Sequence, residues 1–150
     1  MNIILRNGNS LDDPICGQIM SSASKKSEEL NWLKIAQNLN RKGISHPLFS
    51  NLRLIAILDG QPVGFTDYLI SKCHIKHLFV DPQFQVKGIG TALLNSAQQK
   101  VQNTISVNVL CVNESAILWY IQRGFIITNC WQVNFEGRKV TWLKLSRPLP

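Results

Sequence analysis

The sequence predicts one α/β domain built on a mixed sheet, and three observations carry that reading. Short runs rich in Val, Ile, Leu and Phe recur along the 150 residues, separated by segments whose apolar residues return at helical spacing. Asp59-Gly60 stands between two of those runs, and Asp-Gly in that setting is the strongest short hairpin signal. Hydrophobic residues make up 45% of the chain, ample for one core, and residues 1–150 contain no repeat, low-complexity tract or interdomain linker.

The elements follow in order. Asn2 to Arg6 reads as a short strand, and Asp13-Pro14 as an N-cap with proline at the first helical position, ahead of Ile15 and Ile19. Gly17 weakens that helix. Ser27 caps a second helix, with Glu28 and Glu29 in its first turn, Trp32, Ala36 and Leu39 along it and Arg41-Lys42-Gly43 at its end. Leu52 to Leu58 and Val63 to Ile70 form the hairpin, and Cys73 to Val80 is a further strand stopped by Asp81-Pro82. A third helix opens at a glycine loop and buries Ile89, Leu93 and Ala97, with Leu94 and Val101 beside them. Ile105 to Val112 is the next strand, followed by a helix capped by Asn113 and ended by Arg123-Gly124. Phe125, Ile127, Trp131 and Val133 then occupy alternate positions of a strand, and a turn at Asn134 to Gly137 leads into the last one, Lys139 to Leu145.

Sixteen Lys and Arg against nine Asp and Glu give a net charge of +7, which attracts a polyanion. The basic residues are single or paired (Lys25-Lys26, Arg41-Lys42, Arg138-Lys139), with no basic run and no interleaved aromatic platform, and this argues against nucleic acid. Cys16, Cys73, Cys111 and Cys130 lie far apart with no C-x-x-C, so no metal site is spaced for and four reduced thiols are expected. Apolar stretches such as Leu54 to Leu58 are too short for a membrane span, and Met1 to Arg6 lacks the pattern of a signal peptide; a cytoplasmic protein is expected.

The loop from Gln85 to Gly90 carries the chemistry. A helix start presents backbone N–H groups without intrahelical partners and a partial positive charge, and Gly88 and Gly90 let an anion approach them. No acid sits between Val86 and Ala97, and Lys87 adds a charge of the right sign. The Walker pattern is absent, and Leu93 stands where a dinucleotide fingerprint needs its third glycine.

Q-x-x-G-x-G after a strand ending Leu78-Phe79-Val80-Asp81-Pro82 resembles the acyl-CoA-binding loop of the GNAT superfamily of N-acetyltransferases. The stretch from Asn113 to Phe125 is similar to that family's N-x-x-A-x-x-x-Y-x-x-x-G-F segment, so the resemblance is specific from Cys73 to Phe125. It implies a mixed, mostly antiparallel sheet flanked by helices, with two central strands splayed apart to admit acetyl-CoA as acyl donor. The pantetheine arm would meet the backbone of Leu78, Phe79 and Val80, and the pyrophosphate would meet the loop of Gln85, Val86, Lys87, Gly88, Ile89, Gly90 and Thr91, with Asn113 also at the cofactor.

The resemblance also implies Tyr120 as the acid that protonates the departing thiolate. A base on the strand before the loop falls eleven residues ahead of Gln85, at His74. His77 competes, because strand alternation separates it from His74 and a bulge would reverse the parity. Asp67 and Glu114 are weaker candidates, and Asn108 stands where other GNAT enzymes place a glutamate. The expected reaction is direct acetyl transfer to the amine of a small molecule or protein, and a homodimer is the assembly considered. The competing expectation is a catalytically weak acyl-CoA-binding domain with a regulatory or interaction role.

Overall fold

A computed structural model describes residues 2–24, 52–85 and 88–150. These form a seven-stranded sheet: β1 (Ile3–Gly8), β2 (Leu52–Leu58), β3 (Gln61–Leu69), β4 (His74–Val80), β5 (Ile105–Leu110), β6 (Ile126–Phe135) and β7 (Arg138–Arg147). The spatial order is β1-β2-β3-β4-β5-β7-β6. Every neighbouring pair is antiparallel except β4 and β5, which run parallel. The helices are α1 (Asp13–Ser24), α2 (Ile89–Val101) and α3 (Glu114–Gln122). The second helix expected from Ser27 to Gly43 lies outside the described residues.

The sheet has a core on each face. On one, α2 buries Ile89, Leu93, Leu94, Ala97 and Val101 against Val63, Tyr68, Ile75, Val107 and Leu145. On the other, Cys16, Ile19 and Met20 of α1 pack on Ile55, Phe65 and Phe79. Sandwiching explains why β2 and β3 are buried along nearly their whole length and do not alternate between apolar and polar: a strand covered on both faces has no solvent side. Burying each large aliphatic chain contributes roughly 1.5–3 kcal/mol.

The turns bear out the local chemistry. Asp59 and Gly60 both have positive φ, 50° and 78°, as a two-residue hairpin turn matching strand twist requires. Glu136 and Gly137 repeat it between β6 and β7, at 49° and 78°. The start of α1 differs from expectation. Asn9 rather than Asp13 is the cap: its side chain accepts from Leu11 N, and Asp12 Oδ2 accepts from Asn9 N, so a 3-10 turn over Ser10–Asp12 precedes the helix. β6 also departs from simple alternation, because its register against β7 shifts between Ile127 and Asn129. Phe125 is buried just before the strand, while Ile127 stays half exposed.

A buried charge network ties the N-terminal half together. Arg53 Nε donates to Asp67 Oδ1 at 2.7 Å and its Nη2 to Oδ2 at 3.1 Å, with both side chains at most 5% exposed. Arg53 Nη1 reaches Asp13 Oδ1 at 2.7 Å and the Asn9 carbonyl at 2.8 Å. Burial alone would raise the Asp67 carboxyl, but the hydrogen bonds from His77 and Arg53 outweigh it and hold the group below its ordinary value. Asp67→Asn strands a buried guanidinium with less than its full countercharge. A loss of about 3–5 kcal/mol in unfolding free energy is expected by urea titration, with a smaller loss when Arg53→Met and Asp67→Leu are combined.

Candidate functional site

β4 and β5 pair through only two residue pairs, His74 with Ser106 and Ile75 with Val107. Beyond Ile75 the strands part, although β4 continues to Val80 and β5 to Leu110. On its other side β4 keeps its partner: Leu78 faces Thr66, Phe79 faces Phe65 and Val80 faces Gly64 on β3. The edge of β4 from 76 to 80 that faces the fork therefore offers backbone donors and acceptors with no strand opposite among the described residues.

The parting coincides with a bulge. Tyr68 pairs with Ile75 and Asp67 with His77, so Lys76 is the extra residue. Two side chains of β3 pin it: Thr66 Oγ1 donates to the His77 carbonyl at 2.8 Å, and Asp67 Oδ2 lies 3.1 Å from His77 Nδ1. The extra residue reverses the parity. Ile75 belongs to the α2-side core, as do Leu78 and Val80, whereas Phe79 packs on the α1 side. His74 and His77 consequently share the α1 face, which plain alternation denies them.

At the open end of the fork, Gln85 Nε2 donates to the Val80 carbonyl at 3.1 Å and folds the chain back toward α2. Gly88 precedes the helix at φ 76°, and among the described residues it has no side-chain cap and nothing within 4 Å of where a Cβ would lie. The first intrahelical bond runs from Ala92 N to Gly88 O at 3.1 Å, so the N–H groups of Ile89, Gly90 and Thr91 precede the ladder. Gly90 serves a different need: a Cβ there would lie 3.0 Å from Trp119 Cζ2 of α3. Arg123 stacks on the Trp119 ring at 3.8 Å and donates from Nε to Thr91 Oγ1 at 2.9 Å, fastening α3 to the first turn of α2. Asn113 caps α3 by accepting from Ala116 N at 3.4 Å. Val86 and Lys87 lie outside the described residues.

His74 sits at the closed end of the fork, its Nδ1 2.7 Å from Ser106 Oγ, while Ser106 Oγ lies 3.4 Å from the Cys73 carbonyl. With the hydroxyl donating to that carbonyl, Nδ1–H donates to the hydroxyl and Nε2 keeps its lone pair. Burial first, then the positive charges of Lys144 and Lys72, push the ring down to about 4. Tyr120 is on the opposite side of the sheet, in the α2-side core, with Trp119 and Phe125 edge-on at 5.0 Å. Burial raises its phenol well above the ordinary value of about 10, so it stays protonated.

A sequence profile of the Acetyltransferase (GNAT) domain matches residues 50–145. The chain belongs to the GNAT acetyltransferase family. It is 34% identical over 86 residues to the peptidyl-lysine N-acetyltransferase YjaB of Escherichia coli, a match covering 57% of this chain and 56% of that protein. A GCN5-related N-acetyltransferase from Rhodopseudomonas palustris shares the fold with a TM-score of 0.81 at 22% identity, over 99% of this chain and 97% of the other. The PaiA N-acetyltransferase of Thermoplasma acidophilum, solved in complex with coenzyme A, shares it with a TM-score of 0.72 at 16% identity, over 99% and 100% of the two chains.

In this GNAT fold the residues singled out from sequence fall into two groups. Leu78, Phe79, Val80, Gln85, Gly88, Ile89, Gly90 and Thr91 lie along one path, from the unpaired edge of β4 to the start of α2. His74 and Tyr120 lie on opposite faces of the sheet, His74 at the paired end of the fork and Tyr120 in the α2-side core. Asp67 is consumed by Arg53 and His77, and Glu114 stands in the first turn of α3. Sequence reading missed Ser106 and Arg123. Ser106 meets His74 only through a strand register 32 residues away, which leaves no local signal; Arg123 read as the basic end of a helix. An NMR titration of the His74 ring is expected to give a midpoint near 4. The unfolded chain takes up that proton near 6.5, so stability falls as pH drops from about 6.5 toward 4, and His74→Gln flattens this part of the profile.

Proposed function

We propose that the protein transfers an acetyl group from acetyl-CoA to the side-chain amine of a lysine, by direct attack within the fork. The observation that carries the reading is the parting of β4 from β5 after two residue pairs, beside a glycine-led helix start. A pantetheine arm carries amides that complement the free edge of β4, and a pyrophosphate suits the N–H groups of Ile89, Gly90 and Thr91. The likeness to YjaB supports a peptidyl-lysine acceptor, and the coenzyme A complex of PaiA supports the donor.

The chemistry divides between the two faces. Bound acetyl-CoA supplies the thioester, and a backbone N–H of the bulged segment near Leu78 would stabilise the oxyanion. Tyr120 approaches from the α2 side as a neutral phenol, the form a proton donor must have. His74 approaches from the α1 face with Nε2 free to accept the amine's proton, directly or through water. Val86, Lys87 and Asn113 complete the proposed cofactor contacts.

Tyr120→Phe is expected to lower kcat by about 10²-fold or more, the usual worth of a positioned acid, with acetyl-CoA affinity by calorimetry unchanged. Unchanged kcat removes Tyr120 from the chemistry. Gly88→Val forces a β-branched residue to positive φ and is expected to weaken acetyl-CoA binding by roughly tenfold or more. Gly17→Ala, in open space on α1, serves as the control and leaves binding intact.

A further inference from the structure

The α1 face around His74 is cationic. Ser106 pairs with His74 and with Ser146, and in the next row Asn108 pairs with Lys144, so Lys144 stands one row from His74 on the same face. Lys72 stands two residues before His74, exposed in the turn that enters β4. Both ammonium groups are close enough to depress the His74 ring's proton affinity.

Among the described residues no carboxylate is available to balance them. Asp67 is buried and spent on Arg53 and His77. Asp12 and Asp13 pair with Arg6 and Arg53, and the remaining described acids stand in the two hairpin turns, at the cap after β4 and at the start of α3. Among the described residues, then, the charges acting on His74 are those of Lys144 and Lys72, and both oppose the approach of a bare lysine ammonium. A lysine that brings its own negative charges is not opposed in this way.

We propose that the acceptor is a lysine flanked by aspartate or glutamate in a protein or peptide, with Lys72 and Lys144 receiving the flanking carboxylates. This rests on the lysine-acceptor reading above and adds its sequence context. The contact does two things at once: it holds the acceptor strand beside the fork, and it neutralises the two charges that oppose proton uptake by His74. Lys72 and Lys144 are specificity-determining residues in this scheme; neither touches the reacting atoms.

The test uses the full chain, saturating acetyl-CoA and three peptides that differ only in the residues flanking one lysine: Glu, Gln or Lys. Thiol release and mass spectrometry report kcat/KM. The Glu-flanked peptide is expected to react about tenfold faster than the Gln-flanked one and the Lys-flanked one slowest, with the ranking compressing at high salt as surface charges are screened. The double variant Lys72→Gln with Lys144→Gln is expected to lose the ranking while keeping its thermal midpoint and acetyl-CoA affinity. Equal rates with Glu and Gln flanks, or a ranking that survives in the double variant, overturn the inference and leave the lysine reading standing. Acetylation of none of the peptides, with acetyl-CoA still bound, overturns the lysine reading and the inference together.

Discussion

Everything at the site depends on one broken ladder. β4 and β5 share a parallel register for two residue pairs and then separate, in the middle of a sheet whose other neighbours stay paired along their length. A strand edge inside a sheet carries backbone groups that demand partners, so the separation is stable only where something else meets them or water enters. The bulge at Lys76 is the device that turns β4 away, and it is held from the β3 side by Thr66 and by Asp67, itself clamped by Arg53. The buried charge network thus anchors the strand whose far edge forms the proposed cofactor track. Its cost in desolvation is placed where it fixes geometry, next to the residue that breaks the pleat of β4.

The same break decides which chemistry is possible. In an intact sheet, His74 and Tyr120 would be separated by a continuous layer of backbone. The fork interrupts that layer beyond Ile75. A thioester lodged in it would be approached by a phenol from the apolar α2 side and by an imidazole from the polar α1 side, which suits a reaction needing one proton delivered and another removed. The tyrosine's burial favours its neutral form, and the histidine's burial and cationic neighbours do the same for the imidazole. Before substrate arrives, both groups are in the protonation state their proposed roles require.

Much of this was legible in the sequence because it is local. The Asp59-Gly60 turn, the α2 apolar face and the strand from 74 to 80 depend on residues within a few positions of one another, and each stands where its pattern puts it. What escaped depends on register. Parity along β4 cannot be read past a bulge whose cause is Thr66 and Asp67 on another strand, so the shared face of His74 and His77 is invisible in the linear pattern. The pairing of His74 with Ser106 is likewise a property of two strands meeting. The start of α1 departs from its local pattern for a related reason: Asp13-Pro14 is a good local start, but Asn9 and Asp12 form a reciprocal pair one turn earlier, and Asp13 is drawn instead to Arg53.

The dispersed +7 charge takes on a more specific meaning in three dimensions. Taken over the chain it is a background attraction for any anion, including a CoA. Near His74 it becomes an obstacle, because a ring near 4 and a lysine ammonium near 10.4 differ by about six powers of ten in proton affinity, roughly 9 kcal/mol. Burial accounts for the largest part of that depression and is fixed by the fold, but the contribution of Lys72 and Lys144 depends on what stands beside them. Carboxylates arriving with the acceptor would reverse the sign of the local field at the moment the proton must move, so part of the acceptor's binding energy would be spent on raising the base. A site of this kind selects its substrate by the charge it needs in order to work, and specificity and catalysis then draw on the same two lysines.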